Sequence, residues 1–304
     1  MNIEKKPSFK SGFVVFIGRP NAGKSTLLNT FLQDKISIVS SIPQTTRHQI
    51  RGIANLKNAQ IIFVDTPGIH RFRHKLANHL NSLAFKSLED IEVILYVVDL
   101  TRRPGVEETH IMRSLIKQKI PIIMVLNKLD MQKKNITLYI DAWKAMLGRN
   151  KTDPVRYYVP VSAKTGKNIE ELKEAVISLL PEGPPFYEPG TVTDFPLSFR
   201  VADIIREKIF EKLSEEIPHS LAVEVEEIED KEKLVCIYAA VYVNRDSQKQ
   251  IVIGKKGGFI KDVGIAARGE IETIFKKKVY LQLRVRVVKD WQTQPRILQE
   301  LGYC

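Results

Sequence analysis

Short, continuous apolar runs alternate with segments of helical spacing along roughly the first 180 residues. Four runs have the length of strands buried on both faces: FVVFI (13–17), QIIFV (60–64), VILYVV (93–98) and PIIMVL (121–126). Apolar positions three and four residues apart predict helices over 24–32, 77–89, 107–117 and 137–147. This alternation predicts right-handed βαβ crossovers, and so an α/β fold with a mostly parallel sheet and helices on both faces.

A Pro- and Gly-rich stretch at 181–196, PEGPPFYEPGTVTDFP, predicts neither helix nor strand and marks a domain boundary. The pattern beyond it predicts a helix, two alternating strands, two helices around a Gly-rich turn, and a last alternating strand over 279–288. This α-β-β-α-α-β order indicates a smaller α+β domain. We predict a first domain over 1–183, a linker over 184–196 and a second domain over 197–304.

Composition excludes several classes of protein. No run approaches the ~18 apolar residues of a membrane span, and the N-terminus is too polar for a secretory signal. The only cysteines, Cys236 and Cys304, have neither disulfide-framework nor metal-site spacing, which fits a reducing cytosol. These features predict a cytoplasmic protein.

The formal charge of +12 favours an anionic partner, either nucleic acid or an acidic membrane surface. Residues 184–304, which include the second domain, are neutral as a whole with 19 basic and 19 acidic side chains, but residues 244–304 carry 13 basic and 6 acidic ones. A basic patch is therefore expected on one face of that domain. Charge alone does not choose between the two partners.

A phosphate-binding loop follows the first predicted strand. Residues 18–25, GRPNAGKS, fit the pattern G-x-x-x-x-G-K-[ST], whose glycines let backbone N–H groups curl around phosphate oxygens. Lys24 is expected to reach the β- and γ-phosphates, and Ser25 to bind Mg²⁺. The start of the following helix adds its positive dipole.

Two further segments are expected to sense the γ-phosphate. DTPG at 65–68 follows the strand QIIFV, so that Asp65 can hold Mg²⁺ through water and the Gly68 N–H can face the phosphate. QTTR at 44–47 lies in a polar segment from which a threonine hydroxyl can complete the Mg²⁺ shell. The spacing does not distinguish Thr45 from Thr46, and we take Thr46 as the candidate ligand.

Guanine specificity is predicted by NKLD at 127–130, after the strand PIIMVL. The Asp130 carboxylate can accept both N1–H and N2–H₂ of guanine, whereas adenine would present an acceptor to it. The aliphatic stem of Lys128 can cover the base. In SAK at 162–164, the Ala163 N–H is expected to donate to guanine O6, with Lys164 near the base.

Four of these motifs follow strand-like runs: GRPNAGKS, DTPG, NKLD and SAK, the last after VRYYVPV (155–161). They are therefore expected to meet at the carboxyl edge of the sheet, where open α/β folds bind ligands. The candidate nucleotide-binding residues are Gly18, Asn21, Ala22, Gly23, Lys24, Ser25, Thr26, Thr45, Thr46, Asp65, Thr66, Pro67, Gly68, Asn127, Lys128, Asp130, Ser162, Ala163 and Lys164. The candidate catalytic residues among them are Lys24, Thr46, Asp65 and Gly68, and the candidate Mg²⁺ ligands are Ser25, Thr46 and Asp65.

Slow intrinsic hydrolysis of GTP is expected. Ras-like enzymes place a water-orienting glutamine directly after D-x-x-G, and here that position is Ile69. Arg47 is only a weak candidate for an arginine finger. We hypothesise that the Asn21 carbonyl holds a K⁺ beside the phosphates, where it would stabilise developing charge; alternatively, Asn21 only stabilises the loop.

A second glycine loop, GKKG at 254–257, lies between two helical segments of the C-terminal domain. G-x-x-G loops of KH domains clamp the backbone of about four nucleotides. The candidate RNA-binding residues are Ile253, Gly254, Lys255, Lys256, Gly257, Lys261 and Arg268. Ile251, Ile253 and Ile260 are candidates for an apolar bed for bases. Trp291 is interpreted as a packing residue, with stacking on a base as the alternative.

The combination of GRPNAGKS, PQTTR, DTPG, NKLD, SAK and VIGKKG resembles the bacterial Era GTPases over essentially the whole chain. That family also replaces the Ras glutamine by a hydrophobic residue. The resemblance implies a TrmE-Era-like GTPase domain followed by a type II KH domain, with Mg²⁺ and GTP or GDP as ligands. It implies binding to the 3′ end of 16S rRNA, a role in assembling the 30S subunit, and in some members peripheral association with the inner membrane.

The leading hypothesis is thus a cytoplasmic GTPase switch that gates RNA binding on the precursor of the small ribosomal subunit. The alternative is a non-enzymatic GTP/GDP sensor or scaffold that docks to protein or membrane partners, which Ile69 keeps open. A membrane-surface GTPase is disfavoured because no lipidation signal or long basic amphipathic helix is present. RNA rather than DNA is the expected nucleic acid, and a monomer is expected by default.

Overall fold

The computed structural model describes residues 9–37, 50–65, 91–132, 134–148, 152–213 and 220–302. Two compact units divide these residues, the first ending at Asp194 and the second beginning at Phe195. The boundary falls inside the predicted linker, 184–196. The predicted helix over 77–89 lies outside the described residues.

The first unit contains a six-stranded sheet among its described residues, with strand order β2-β3-β1-β4-β5-β6. Every neighbouring pair is parallel except β2–β3, so the mostly parallel α/β prediction is confirmed. The strands are β1 Lys10–Ile17, β2 Ile50–Leu56, β3 Ala59–Asp65, β4 Val93–Asp99, β5 Ile122–Asn127 and β6 Val155–Pro160. The helices are α1 Lys24–Leu32, α2 Val106–Leu115, α3 Ile136–Leu147 and α4 Ile169–Leu179.

Both faces of this sheet are buried. The continuous run of β4 has every residue buried, and so does that of β5. Successive side chains of a strand point to opposite faces, so Leu95 joins the core cluster that contains Leu27 of α1, whereas Tyr96 joins the one that contains Trp143 of α3. The double burial explains why these strands carry no polar alternation.

Strand β2 and its neighbours differ from the sequence interpretation. No strand was predicted over 50–56, because IRGIANL lacks a long apolar run. Its outer edge is covered by part of the predicted linker: the Ile53 N–H donates to Val192 O at 2.8 Å, and Thr193 Oγ1 donates to Arg51 O at 2.6 Å. Residues 184–194 thus protect an edge strand, since unpaired edge groups invite pairing with other chains.

The buried side chain of Gln60 fixes the same covering segment to β3. Gln60 Oε1 accepts the N–H groups of Phe186 and Tyr187, at 2.7 and 3.0 Å, and Nε2 donates to Tyr187 O at 2.9 Å. A buried amide must find partners for its donors and acceptors, and here the Pro-rich segment supplies them.

The second unit has the predicted α-β-β-α-α-β order. Its sheet has the order β7-β8-β9, with β7–β8 antiparallel and β8–β9 parallel. The elements are α5 Leu197–Lys212, β7 Ala222–Asp230, β8 Leu234–Val243, α6 Asp246–Ile253, α7 Gly258–Phe275 and β9 Lys278–Val287, followed by a short helix α8, Pro295–Glu300.

One face of this sheet packs on α5, α6 and α7. Odd-numbered residues of β8 and β9 face these helices, as in Ile237, Val241 and Val279, together with Ile205 of α5 and Val263 of α7. Trp291 lies in a separate small cluster with Tyr242 and Leu301. None of the helices described is long and apolar enough to cross a bilayer.

Candidate nucleotide and RNA sites

The first glycine loop connects the end of β1 at Ile17 with the start of α1 at Lys24. Gly23 has φ +98°, a backbone conformation that side chains disfavour, and a Cβ there would lie 2.2 Å from Asn127 Nδ2. Only glycine therefore lets the loop turn into α1 while Asn127 lies against it. The loop and the guanine-reading motif meet at this point.

Other predicted members of the loop have defined positions. Lys24 is buried, and its Nζ donates to the carbonyls of Gly18 and Arg19, each at 3.0 Å. Asn21 is exposed at φ +60°, a left-handed conformation that asparagine tolerates better than most residues. Ser25 and Thr26 lie in the first turn of α1.

Asn127 ties three motifs together at the carboxyl edge of the sheet. Its Nδ2 donates to Ala22 O at 2.8 Å, and its Oδ1 accepts the Ala163 N–H at 3.0 Å. Donation from the Ala163 N–H to guanine O6 stays a prediction. That N–H is engaged by Asn127, whose carboxamide lies between the two loops.

The base-reading carboxylate is oriented by its neighbour on the last loop. Ser162 Oγ donates to Asp130 Oδ1 at 2.7 Å and accepts the Thr165 N–H at 3.1 Å. Ser162 is fully buried, whereas Asp130 and Lys164 are exposed. One oxygen of Asp130 is thereby fixed while the side chain faces solvent, which suits a group that receives a ligand.

Lys128 has a partner that the sequence analysis did not identify. Its Nζ lies 2.7 Å from Oδ2 of Asp99, the last residue of β4. Burial alone would raise the pKa of Asp99, but hydrogen bonds from Lys128 and Thr101 outweigh burial and hold the pKa below its usual value. The usable signal in the sequence was a carboxylate at the end of a wholly apolar strand, VILYVVD.

The γ-phosphate-sensing residues fall mostly outside the described residues. This applies to Thr45, Thr46, Thr66, Pro67 and Gly68, and likewise to Arg47 and Ile69. The backbone of β3 ends at Asp65, one residue after Val64, which pairs with Val15 of β1. The backbone thus brings Asp65 to the sheet edge where β1 leads into the loop before Ser25, and the carboxylate and hydroxyl oxygens of this pair are ligands that Mg²⁺ prefers.

The second glycine loop lies between α6 and α7 in the second unit. Residues 255–257 form a single 3-10 turn, and the Gly257 N–H donates to Gly254 O at 3.1 Å. Lys255 and Lys256 are both exposed, with Lys256 at φ +52°. The loop presents two positive charges on a tight turn, as a phosphate-backbone clamp requires.

The surroundings of this loop divide into exposed and buried residues. Lys261 and Arg268 are both exposed on α7, seven residues apart, and so share one helix face. Ile251 is 49% exposed, whereas Ile253 and Ile260 are half-buried. Trp291 is fully buried and its Nε1 donates to Ser220 O at 2.8 Å, so the stacking alternative is wrong and the packing interpretation holds.

Comparisons with known proteins found matches to both units of the structure. Residues 13–128 match the family described as 50S ribosome-binding GTPase, and residues 216–292 match the KH domain family. The chain is 46% identical over 297 residues to GTPase Era of Geotalea uraniireducens, covering 97% of this chain and 98% of that one. It is 45% identical over 298 residues to GTPase Era of Geobacter metallireducens, with the same coverage. The chain belongs to the Era family of GTPases.

Solved structures of Era have the same fold. One, in complex with MgGDPNP and nucleotides 1506–1542 of 16S ribosomal RNA, gives a TM-score of 0.91 at 37% identity, covering 97% of this chain and 99% of that one. Another, a single-residue variant of Aquifex aeolicus Era bound to GDP.AlF4-, gives 0.90 at 37% identity, covering 97% and 100%. As a member of the Era family the chain is a GTP-hydrolysing enzyme with a KH domain.

Proposed function

We propose that this GTPase binds 16S rRNA through its KH domain and acts as a nucleotide-dependent switch in assembly of the 30S ribosomal subunit. The observation that carries the proposal is the exposed, doubly basic GKKG turn between α6 and α7. Support comes from an Era structure of similar sequence, which holds a fragment of 16S rRNA. Since 16S rRNA belongs to the small subunit, we place the role there rather than on the 50S subunit.

RNA binding would begin at the glycine loop. Lys255 and Lys256 neutralise backbone phosphates, and Lys261 and Arg268 extend the positive charge along the exposed face of α7. Ile251 offers an exposed apolar surface beside the loop. A clamp of this kind fixes single-stranded RNA by its backbone and leaves base edges available for reading.

Nucleotide binding would use both the phosphate-binding loop and the guanine-reading loop of the first unit. Lys24 and the amides of the glycine loop bind the phosphates, and Asp130, held by Ser162, accepts the N–H groups of guanine. Ser25, Asp65 and a switch threonine would hold Mg²⁺, which supplies charge neutralisation at the phosphates. Positioning and electrostatic stabilisation account for most catalysis of phosphoryl transfer. The described residues would therefore contribute to catalysis mainly through the glycine loop, which positions the phosphates.

Crosslinking the protein to RNA in cells and sequencing the recovered fragments tests the proposal. Reads should concentrate at the 3′ end of 16S rRNA, and Lys255→Asp with Lys256→Asp should remove them, because the change reverses both charges of the clamp. GTP binding by the same variant should be unchanged.

A matched control places the same charge reversal elsewhere on the KH domain. Lys231→Asp with Lys233→Asp alters two exposed lysines in the turn between β7 and β8 and should leave the reads in place. Reads concentrated on 23S rRNA would move the role to the 50S subunit, and scattered reads in the wild type would contradict an rRNA function.

We further propose that Asn21 contributes to a K⁺ site beside the phosphates. Asn21 lies exposed in the glycine loop, three residues before Lys24. GTP turnover should be faster in KCl than in NaCl, and Asn21→Asp should change that ratio. Equal rates for both proteins in both salts would contradict this proposal.

Cytoplasmic location follows from the ribosomal partner, whereas peripheral membrane association stays a prediction.

A further inference from the structure

A row of buried polar side chains runs behind the nucleotide site. It begins in the glycine loop at Arg19, whose Nε lies 2.8 Å from Glu108 Oε1, and both side chains are more than nine-tenths buried. Glu108 Oε2 accepts the N–H of Gly105, so the carboxylate is fixed at the start of α2. The phosphate-binding loop is therefore attached to a helix that belongs to neither glycine motif.

Tyr139 of α3 continues the row. Its fully buried hydroxyl donates to the carbonyl oxygen of Asp99 at 3.2 Å, and it lies near enough to Glu108 for the charge of that carboxylate to act on it. A phenol has one proton to donate, and here the Asp99 carbonyl accepts it while the charge of Glu108 faces the same hydroxyl. Burial, and then the charge of Glu108, raise the pKa of Tyr139, so the hydroxyl keeps that proton.

Asp99 completes the connection to the guanine-reading loop. Its Oδ1 accepts the N–H and hydroxyl of Thr101, at 2.9 and 2.6 Å, while Oδ2 lies 2.7 Å from Lys128 Nζ. Lys128 has φ +69°, which costs free energy in a residue with a side chain. The ion pair holds this strained residue between Asn127 and Asp130.

Stability alone is a poor explanation for this arrangement. Buried ion pairs contribute little to stability compared with apolar residues of the same volume, because both charges lose their hydration. A row of buried polar groups instead fixes the geometry between its two ends, because each group needs a specific hydrogen-bond or charge partner. Here the two ends are the loops assigned to the phosphates and to guanine.

We propose that Glu108 and Tyr139 are positioning residues that couple the phosphate-binding loop to the guanine-reading loop. A disturbance at Glu108 then changes how well Asp130 and Lys128 discriminate the base. The proposal rests on the nucleotide assignment of these two loops and deepens it.

Binding of GDP and IDP to the full-length protein tests the coupling. IDP lacks the 2-amino group of guanine, so the ratio of the two dissociation constants reports the Asp130 loop. Glu108→Gln should change that ratio at least about twofold, the lower end of measured coupling energies. In a Tyr139→Phe background, which removes a single oxygen atom, Glu108→Gln should no longer change the ratio.

A structural role without coupling predicts a different result. Glu108→Gln would then weaken the binding of GDP and of IDP by the same factor, or would change the ratio equally in the wild type and in the Tyr139→Phe background. Either outcome overturns the proposal. Tyr158→Phe, which deletes another phenol oxygen from the same core, is the matched control and should leave the ratio unchanged. If Glu108→Gln does not fold, Arg19→Lys disturbs the same end of the row. Failure of the wild type to bind GDP would instead refute the nucleotide assignment.

Discussion

The two glycine loops of this protein differ in how enclosed their phosphate-binding groups are. The loop at 18–25 is enclosed: Asn127 donates to its backbone, Glu108 pairs with its arginine, and its lysine is buried. The loop at 254–257 is an exposed turn between two helices, and both its lysines face solvent. One is built for a small ligand held from several sides and the other for a polymer that lies across it.

This difference predicts how each loop achieves selectivity. Enclosed donors and acceptors reject a wrong ligand strongly, because a buried group left without a partner costs free energy. Exposed lysines attract any phosphate backbone, and their contribution weakens as salt rises. Substitutions at the nucleotide site should therefore cause large losses of nucleotide binding or a change of ligand. Substitutions in the second loop should change how tightly, and at what salt, RNA binds.

The largest effect is expected at the base-reading carboxylate. Asp130→Asn replaces an acceptor by an amide, so it should weaken GDP binding about 100-fold or more and improve binding of xanthosine diphosphate, which carries a carbonyl in place of the 2-amino group. Equilibrium titration with both nucleotides measures the change. The exposed Asp141→Asn on α3 is the control, and an unchanged preference in Asp130→Asn would contradict the assignment.

Next in size is the effect of adding one methyl group to the enclosed loop. Gly23→Ala puts a side chain at φ +98° and within 2.2 Å of Asn127 Nδ2, so we expect nucleotide affinity to fall about 30-fold or more. Gly257→Ala also places a side chain at a positive φ, +76°, but the added methyl group has open space around it. It should therefore lower RNA affinity only about fivefold. Equal losses in the two titrations would remove the distinction between enclosed and exposed loops.

Neutralising the exposed loop should have a smaller and salt-dependent effect. Lys255→Gln with Lys256→Gln removes two phosphate contacts, which lowers RNA affinity about tenfold near physiological salt and reduces the slope of log affinity against log salt by about 1.4. RNA titrations over a salt series measure both quantities. An unchanged slope would show that these lysines do not contact phosphates.

The smallest effect on RNA is expected at Trp291. Trp291→Phe loses the bond to Ser220 O and some core volume, so it should destabilise the KH domain by about 2 kcal/mol. RNA affinity of the folded fraction should not change, because the ring is buried. Denaturant unfolding and RNA titration together test this, and a selective loss of RNA affinity would restore the stacking interpretation.

The sequence predicted those elements whose residues form an uninterrupted local pattern. The strands of the parallel sheet, the glycine loops and the KH order all follow from local residue types and spacing. Local patterns could not show that Pro- and Gly-rich residues 184–194 would cover β2, since their partners lie more than 100 residues earlier in the chain. Glu108 and Asp99 were missed for the same reason: as single carboxylates they match no motif, and only the fold places them beside Arg19 and Lys128.

The central claim is that GTP and RNA bind at two separate sites of one chain, the nucleotide site of the first unit and the GKKG turn at 254–257. The most direct test titrates the wild type, Asp130→Asn and Lys255→Asp/Lys256→Asp with labelled GDP and, in nucleotide-free buffer, with RNA of 16S nucleotides 1506–1542. We expect Asp130→Asn to lose GDP but keep RNA, and the charge-reversed variant to lose RNA but keep GDP. If the charge-reversed variant binds this RNA as tightly as the wild type, the RNA clamp does not lie at residues 254–257.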